Sequence, residues 1–420
     1  MSTLSEAKSV RDWQDIFPWL ILFRSVRVAL SFRLLLLAAL GLVGMVAGWR
    51  LCWNLVAYVP DETGVAVLAD PVLIQLSARH EGTVPPWPWE MAYRNFGDQG
   101  VLASLSNLTY IGPIIGMAAT TAAELTLPFQ MLFRQDLTYR GLAYALVCCA
   151  WALVIWGYFG AMITRIVAVK LTQDEIVSFN KAGKFARQRC ASYITAPLIP
   201  LLGIFGLGVP IAILGLVSNF DLGVLISGIL WPLVLCIGFM MAILLLGLIF
   251  GWPMMYSTIS TEGTDAFDAI SRSYAYVFQR PFHYLFYLIM ATIIGSLGWV
   301  MIHGIIDLLV YSTHWSFDWG LSSERSIQLF YGDIRDGTAG WGCNLIRFWQ
   351  GFLRTLTTSF AVGFLFSGMT AVYLLLRRHV DGVELEEVNL DESTEHGLPD
   401  LSGADVSIST SEIPDEQSEE

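Results

Sequence analysis

Charge is scarce in this chain. Only 14% of its residues are Asp, Glu, Lys or Arg, against 55% hydrophobic, where an ordinary soluble domain carries about 25% charged residues. The shortage excludes a polar, fully solvated surface. Basic residues are missing altogether from Asp381 to Glu420, a stretch that holds 14 of the 36 acids and so leaves 22 acids against 24 bases elsewhere. The net charge of −12 therefore belongs to one tail. That tail also lacks aromatics and is rich in Ser, Glu and Asp, so it has too little apolar area to fold alone. It reads as a disordered solvated extension over 381–420, with docking onto a basic partner as the competing reading.

Other absences narrow the chemistry. No CxxC pair and no Cys/His ligand spacing occurs, which excludes a recognisable zinc site or disulfide framework. Cys52, Cys148, Cys149, Cys190 and Cys236 lie in or beside apolar runs, and Cys343 stands alone in a polar stretch. No GxxxxGK[ST], GxGxxG after a strand, HExxH or GxSxG is present, so neither nucleotide binding nor hydrolytic catalysis has a motif to rest on. Nothing points to nucleic acid or to a cofactor. The first 33 residues carry five bases and a short apolar patch without a small-residue cleavage site, so the first helix is expected to serve as an uncleaved anchor.

What is present in quantity is long apolar sequence. Six runs, Leu34–Val56, Leu142–Ile166, Ile194–Leu216, Leu222–Ile249, Phe282–Val310 and Phe352–Leu376, each reach the length that a helix needs to cross roughly 30 Å of hydrocarbon. The fold class expected is all-α, a polytopic bundle of six transmembrane helices. Its organisation is a cytoplasmic N-terminal amphipathic segment (1–33), a membrane domain (34–380) with outer loops over about 57–139 and 311–348, and the acidic cytoplasmic tail.

Orientation follows the basic residues. Lys8, Arg11, Arg24, Arg27 and Arg33 precede the first span, and Arg165, Lys170, Lys181, Lys184, Arg187 and Arg189 lie at or after the end of the second. Arg272 and Arg280 separate spans four and five, and Arg377–Arg378 close the sixth. With six spans all of these share one side, which places both termini in the cytoplasm. The other side has scattered Arg and no Lys. Leu105–Phe133 is apolar enough to be a seventh span, but Pro113, Pro128 and Glu124 are costly in a lipid-facing helix. It is expected to be re-entrant, interfacial or buried against the bundle.

The connections between spans two and three and between spans four and five resemble each other. With Pro197 and Pro281 aligned, Ala182 falls over Ala266. Thr172 with Glu175 offers a capping box, and Thr264–Asp265 offers a cap with an acid. Ile176, Phe179, Ala182, Ala186 and Cys190 recur at helical spacing in the first, as do Ala266, Ala269 or Ile270, Ser273 and Val277 in the second. Each is expected to be an amphipathic elbow helix on the cytoplasmic membrane surface, the pair suggesting an internal duplication. Lys181, Lys184, Arg187, Arg189, Arg272 and Arg280 are their candidate contacts, with anionic lipid headgroups or with a cytoplasmic protein partner.

The block GWPMMYSTISTEGTDAFDAISRSYAYVFQRPFHYLFY, residues 251–287, resembles one found in a family of uncharacterised polytopic bacterial inner-membrane proteins. Residues 151–203, which begin WALVIWGYFGAMITRIVAVK, resemble the second common block of that family. More distantly, the Ala/Ser/Arg-containing elbow before a span is similar to the membrane domains of glycerophosphodiester phosphodiesterases. The resemblance implies a bacterial cytoplasmic-membrane protein. It carries no activity and no residue roles.

Ionisable residues within spans are the remaining suspects. His303 and Asp307, four apart on one helical face, suit a proton relay or a metal site, for which His314 or Asp318 would have to supply a third ligand. A structural His–Asp hydrogen bond is the competing reading. Arg50 and Arg354 lie near helix ends, where snorkelling explains them. Thr355, Thr357, Thr358 and Ser359 suit the lining of a polar path or bonding back to their own helix. The function that these residues favour is a permease-like or membrane-organising component and not an enzyme. A lipid-interacting structural scaffold is the alternative, and a lipid-modifying enzyme comes third because no acid/base pair is positioned for it.

Overall fold

The computed structural model describes residues 17–53, 87–90, 111–134, 139–322, 325–326, 329 and 337–382, and among these the regular structure is all helical, with no strand. The expectations for residues 1–16, for most of the outer region 57–139 and for the acidic tail fall outside them. A short 3₁₀ turn, Pro18–Leu20, leads into α1 (Ile21–Ala29) and α2 (Phe32–Cys52). There follow α3 (Ile111–Leu125), α4 (Leu127–Met131), α5 (Tyr139–Thr172), α6 (Phe179–Val217) and α7 (Asp221–Glu262), then α8 (Ala266–Gln279), α9 (Pro281–Asp318) and α10 (Gly337–Asp381).

Six helices, α2, α5, α6, α7, α9 and α10, are long and apolar enough to cross a membrane. The described residues thus form an all-α bundle with six candidate spans. Most of the helices overrun their apolar runs, because hydropathy marks the part that crosses hydrocarbon while backbone hydrogen bonding continues into polar turns. The largest overrun corrects the second outer loop. Helix α9 continues to Asp318 and α10 begins at Gly337, so most of 311–348 is helical. Cys343, expected in a loop, is buried inside α10.

Helix α10 lies at the centre, packed against α1, α2, α3, α5, α7 and α9. Of its apolar window 94% is buried, against 17% for α6 and 6% for α7. The parts of α6 and α7 nearest their connection form a hairpin that pairs mainly with itself, closed by a hydrogen bond between the Ser218 and Ser227 hydroxyls (2.5 Å). Leu216, Phe220, Leu222, Ile229 and Leu233 stand exposed around it. Apolar side chains on every face are stable only with lipid around them. Helix α3 has 15 residues, short of a span, and its Met117 packs with Trp299, Phe360 and Phe364. Helices α3 and α4 thus pack one face against the bundle, with Pro113 in the first turn of α3 and Pro128 near the start of α4, where no intrahelical N–H is lost.

The two elbows differ. The second is a separate helix, α8, whose N-cap Asp265 accepts from the Asp268 amide (3.0 Å). Before it, α7 ends on Gly263 at φ 67°, a left-handed residue that glycine supplies at no steric cost. Helix α8 docks on the protein and runs back along α7: Ser273 neighbours Gly251, Tyr274 closes over Gly247, and the Tyr274 hydroxyl donates to the Leu244 carbonyl (2.7 Å). The first elbow is no separate helix. It is the start of α6, which passes through Pro197, Pro200 and Pro210 without ending. Nor does Thr172 cap it: the Thr172 hydroxyl donates to Ala168 inside α5, and Ser178 is the cap, accepting from the Lys181 amide (3.4 Å). The aligned alanines agree in burial, Ala182 and Ala266 both facing inward, as do Phe185 and Ala269 at the next aligned pair.

This distinction separates two substitutions that the sequence pattern treats alike. Ile176 is 70% exposed in the turn before α6, whereas Ile270 packs against the core. We expect Ile270→Asp to lower the yield of folded protein and its detergent melting temperature, and Ile176→Asp and Gln188→Glu to leave both near wild type. Equal tolerance of all three in a fluorescence-detected melting assay would show α8 to be undocked.

Candidate functional site

The densest polar grouping lies where α7, α8 and α10 converge, and Glu262 is its hub. A carboxylate in the last turn of a helix faces the negative end of the helix dipole and is tolerated there when cations offset it. Two do. Arg377 Nε of α10 lies 2.7 Å from Glu262 Oε1, and Arg272 Nη1 of α8 lies 3.9 Å from Oε2. The Tyr373 hydroxyl donates to the same carboxylate (3.2 Å). Arg272 is held in turn by Asp268, one turn back on α8, both oxygens lying 3.1 Å from its Nε. Burial alone would lower the Arg272 pKa, but the Asp268 carboxylate outweighs it and the net direction is up. Tyr276, its ring tilted against that of Tyr373, donates to Asp381 at the end of α10. Burial first, and then the Asp381 carboxylate, push the Tyr276 phenol well up.

A second set adjoins it on α5, α6 and α7. Ser260 is central: its hydroxyl meets those of Thr164 (2.5 Å) and Tyr193 (2.6 Å), and its carbonyl accepts from Arg165 Nη1 (2.7 Å). The Arg165 guanidinium lies over the Phe185 ring, 4.2 Å from its centroid. Ser257 bonds Thr370 across to α10 (3.1 Å). The polar run Ser257–Glu262 tolerates burial because Ser257, Thr258 and Thr261 donate to carbonyls one turn back in α7.

At the far end of α10 stands a third set. His303 Nε2 lies 3.1 Å from Asp307 Oδ2, and Arg354 Nε of α10 lies 3.9 Å from Asp307 Oδ1. Arg354 is not a snorkelling residue at a helix end. Because α10 begins at Gly337, it sits inside the bundle, its side chain 11% exposed. The Trp299 ring is stacked on the His303 imidazole, 4.9 Å between centroids and 5° from parallel. Neither candidate third metal ligand folds back: His314 is engaged by Gln350, and Asp318 accepts from Ser326. Among the described residues no group of three His, Cys, Asp or Glu is placed to hold a metal. Arg50, at the same end, lies over the Trp87 ring and 3.9 Å from Glu90.

The elbow cations divide. Lys181, Lys184, Arg187 and Arg280 are exposed and Arg189 is half-buried, whereas Arg272 is drawn inward to Glu262 and Asp268. Arg24 reaches Asp174 (3.4 Å) and Arg33 donates to the Val177 carbonyl (3.1 Å), so α1 and the start of α2 lie beside the α5–α6 turn. The start of the described helices and their end at Asp381 thus lie at the same end of the bundle, as six crossings require.

Sequence reasoning missed Glu262 and Ser260 because it ended the fourth run at Ile249, and it used Arg165 and Arg377 only as markers of orientation. The signal was available: hydroxyl residues at helical spacing up to Glu262, with Gly263 as the stop. Comparison of the chain with protein-family models, with curated proteins and with solved structures found no match.

Proposed function

We propose that the chain is a permease-like protein of the bacterial cytoplasmic membrane, with both termini in the cytoplasm, and that its path follows α10. One observation carries this reading. The most buried helix of the bundle bears a cation toward each end, Arg354 facing Asp307 of α9 and Arg377 facing Glu262 of α7. A helix needed for anchoring alone would be apolar, since charge inside a membrane is costly and is kept where it works. Between the two ion pairs α10 presents Phe360, Phe364 and Phe366, and Trp156 and Trp252 pack on Phe366. This aromatic layer is the closed barrier of the proposed path. The basic residues gathered at the Glu262 end support its being the cytoplasmic one. The exposed Lys181, Lys184, Arg187 and Arg280 suit lipid headgroups or a cytoplasmic partner there.

A lipid-interacting scaffold is the second reading, favoured by the self-paired α6–α7 hairpin. Cysteine accessibility separates the two without knowledge of a substrate. In a background with the six native cysteines replaced, a membrane-impermeant thiol reagent should reach Thr357→Cys from outside and Thr370→Cys from inside, and Phe364→Cys from neither. Absence of reaction at both Thr357→Cys and Thr370→Cys would leave the scaffold.

A further inference from the structure

We propose that His303, Asp307 and Arg354 form a proton-binding site whose occupancy controls the hold of α9 on α10. The inference deepens the permease reading by naming a coupling ion, and its test reads proton binding directly, without transport.

The geometry is that of competition for one carboxylate. Asp307 has the His303 imidazole on one oxygen, at 3.1 Å, and the Arg354 guanidinium near the other, at 3.9 Å. All three side chains are at most 11% exposed. A guanidinium stays charged across the accessible pH range, so the ligands that can change state are the carboxylate and the imidazole. With His303 neutral the set carries no net charge. One proton taken from water, on the Asp307 oxygen or the His303 ring nitrogen, leaves it with a charge of +1 in a site shielded from solvent. Arg354 then loses its counter-charge or gains a cationic neighbour, and either change weakens the attachment of the central helix to α9.

Two further observations point to a site. Trp299 lies flat on the imidazole and covers one face of it. Thr357 is 1% exposed, and its hydroxyl has no hydrogen-bond partner within the protein. It lies on α10 one turn beyond Arg354. Arg354 meets Asp307 and Phe360 meets Gly298, so Thr357 falls opposite the turn of α9 that carries His303. A buried hydroxyl of that kind is commonly satisfied by a water molecule, and water is what would bring the proton. Among the described residues the other elements at this end bring few charges, Arg50 of α2 and Glu90 forming a pair of their own. Helix α3 offers buried Thr121 and exposed Glu124, and farther along lie Arg347 and the His314–Gln350 pair.

The experiment is a pH titration of the full chain in nanodiscs, labelled with ¹⁵N-histidine, the His303 signals being assigned by their loss in His303→Gln. In the wild type His303 should change state in two coupled steps. Asp307→Asn should collapse these to one step displaced by about one pH unit or more, and Arg354→Gln should tighten proton binding about tenfold. The Trp299 fluorescence, isolated as the difference from Trp299→Phe, should be quenched in step with imidazole protonation. A His303 that stays in one state between about pH 5 and pH 9 would overturn the proposal, as would a titration unmoved by Asp307→Asn. If either variant fails to fold, the wild-type curve decides by itself: a single unperturbed step sinks the site. The cysteine accessibility of α10 is a separate result, so failure here leaves the path along α10 standing.

Discussion

Glu262→Gln should be among the most destabilising single changes in the protein, by about 3–5 kcal/mol, because it takes the nearby carboxylate away from a buried guanidinium. Arg377 is 8% exposed at the side chain and its Nε lies 2.7 Å from Glu262. The amide that replaces the carboxylate still accepts a hydrogen bond from Tyr373 but cannot neutralise Arg377. It also releases Arg272, which is more exposed and keeps Asp268 as its partner, so little of the effect should come from that side. The measurement is the detergent melting temperature and the yield of monodisperse protein. Arg377→Met should also destabilise, since it leaves Glu262, at the negative end of the α7 dipole, with the more distant Arg272 as the offsetting cation. The double variant Glu262→Gln/Arg377→Met, which removes both charges, should be less damaged than either single one. If the single losses instead add, the two groups do not act as a pair, and the polar convergence of α7, α8 and α10 loses its hub.

The reach of the sequence can be judged from these same residues. The six spans were legible because apolar length is a property of each segment alone: α5, α6, α7, α9 and α10 contain the runs expected of them, and α2 covers its run from Leu34 to Cys52, the rest lying outside the described helix. That Leu105–Phe133 is not a seventh span was legible from the cost of Pro113, Pro128 and Glu124 in lipid, while the sequence left its re-entrant, interfacial and bundle-packed forms open. Where the reading went astray, a local pattern had two physical outcomes. Thr172 with Glu175 has capping-box spacing, yet α5 extends through Thr172, and Ser178 takes the cap. Pro281 opens a new helix, yet its aligned counterpart Pro197 lies within α6, which continues past it. There the chain ahead of the proline is already held inward by Ala182, Phe185 and Ala186. The His303–Asp307 pair was visible at helical spacing. Its third member was not, because Arg354 comes from another helix, and only the packing of α9 on α10 brings it there. The same holds for Glu262, whose partners are 10 and 115 residues away in the chain.

Gly295→Ala should cost about 1–3 kcal/mol, the range for an overpacked core, although the change adds one methyl group and favours helix. A Cβ at position 295 would lie 2.0 Å from the Phe364 ring, inside any tolerable contact. Phe364 is buried between α9 and α10 and is stacked on Phe360, which in turn fills the space beside Gly298, so the ring cannot move without displacing its neighbour. The aromatic layer and the close approach of α9 to α10 therefore depend on the absence of a side chain at 295. Gly304, on the same helix and nine residues on, has nothing within 4 Å of where its Cβ would be. Gly304→Ala should be neutral or stabilising by up to about 1 kcal/mol, since alanine loses less backbone entropy in a helix. Thermal unfolding of the two variants side by side tests packing against propensity on one element. Phe364→Leu should restore part of the loss in Gly295→Ala, because a shorter side chain opens room for the methyl group. Should Gly295→Ala melt with Gly304→Ala, α9 and α10 are not in contact at this level. The spacing of Asp307 from Arg354, fixed by the same helix pair, would then fall with it.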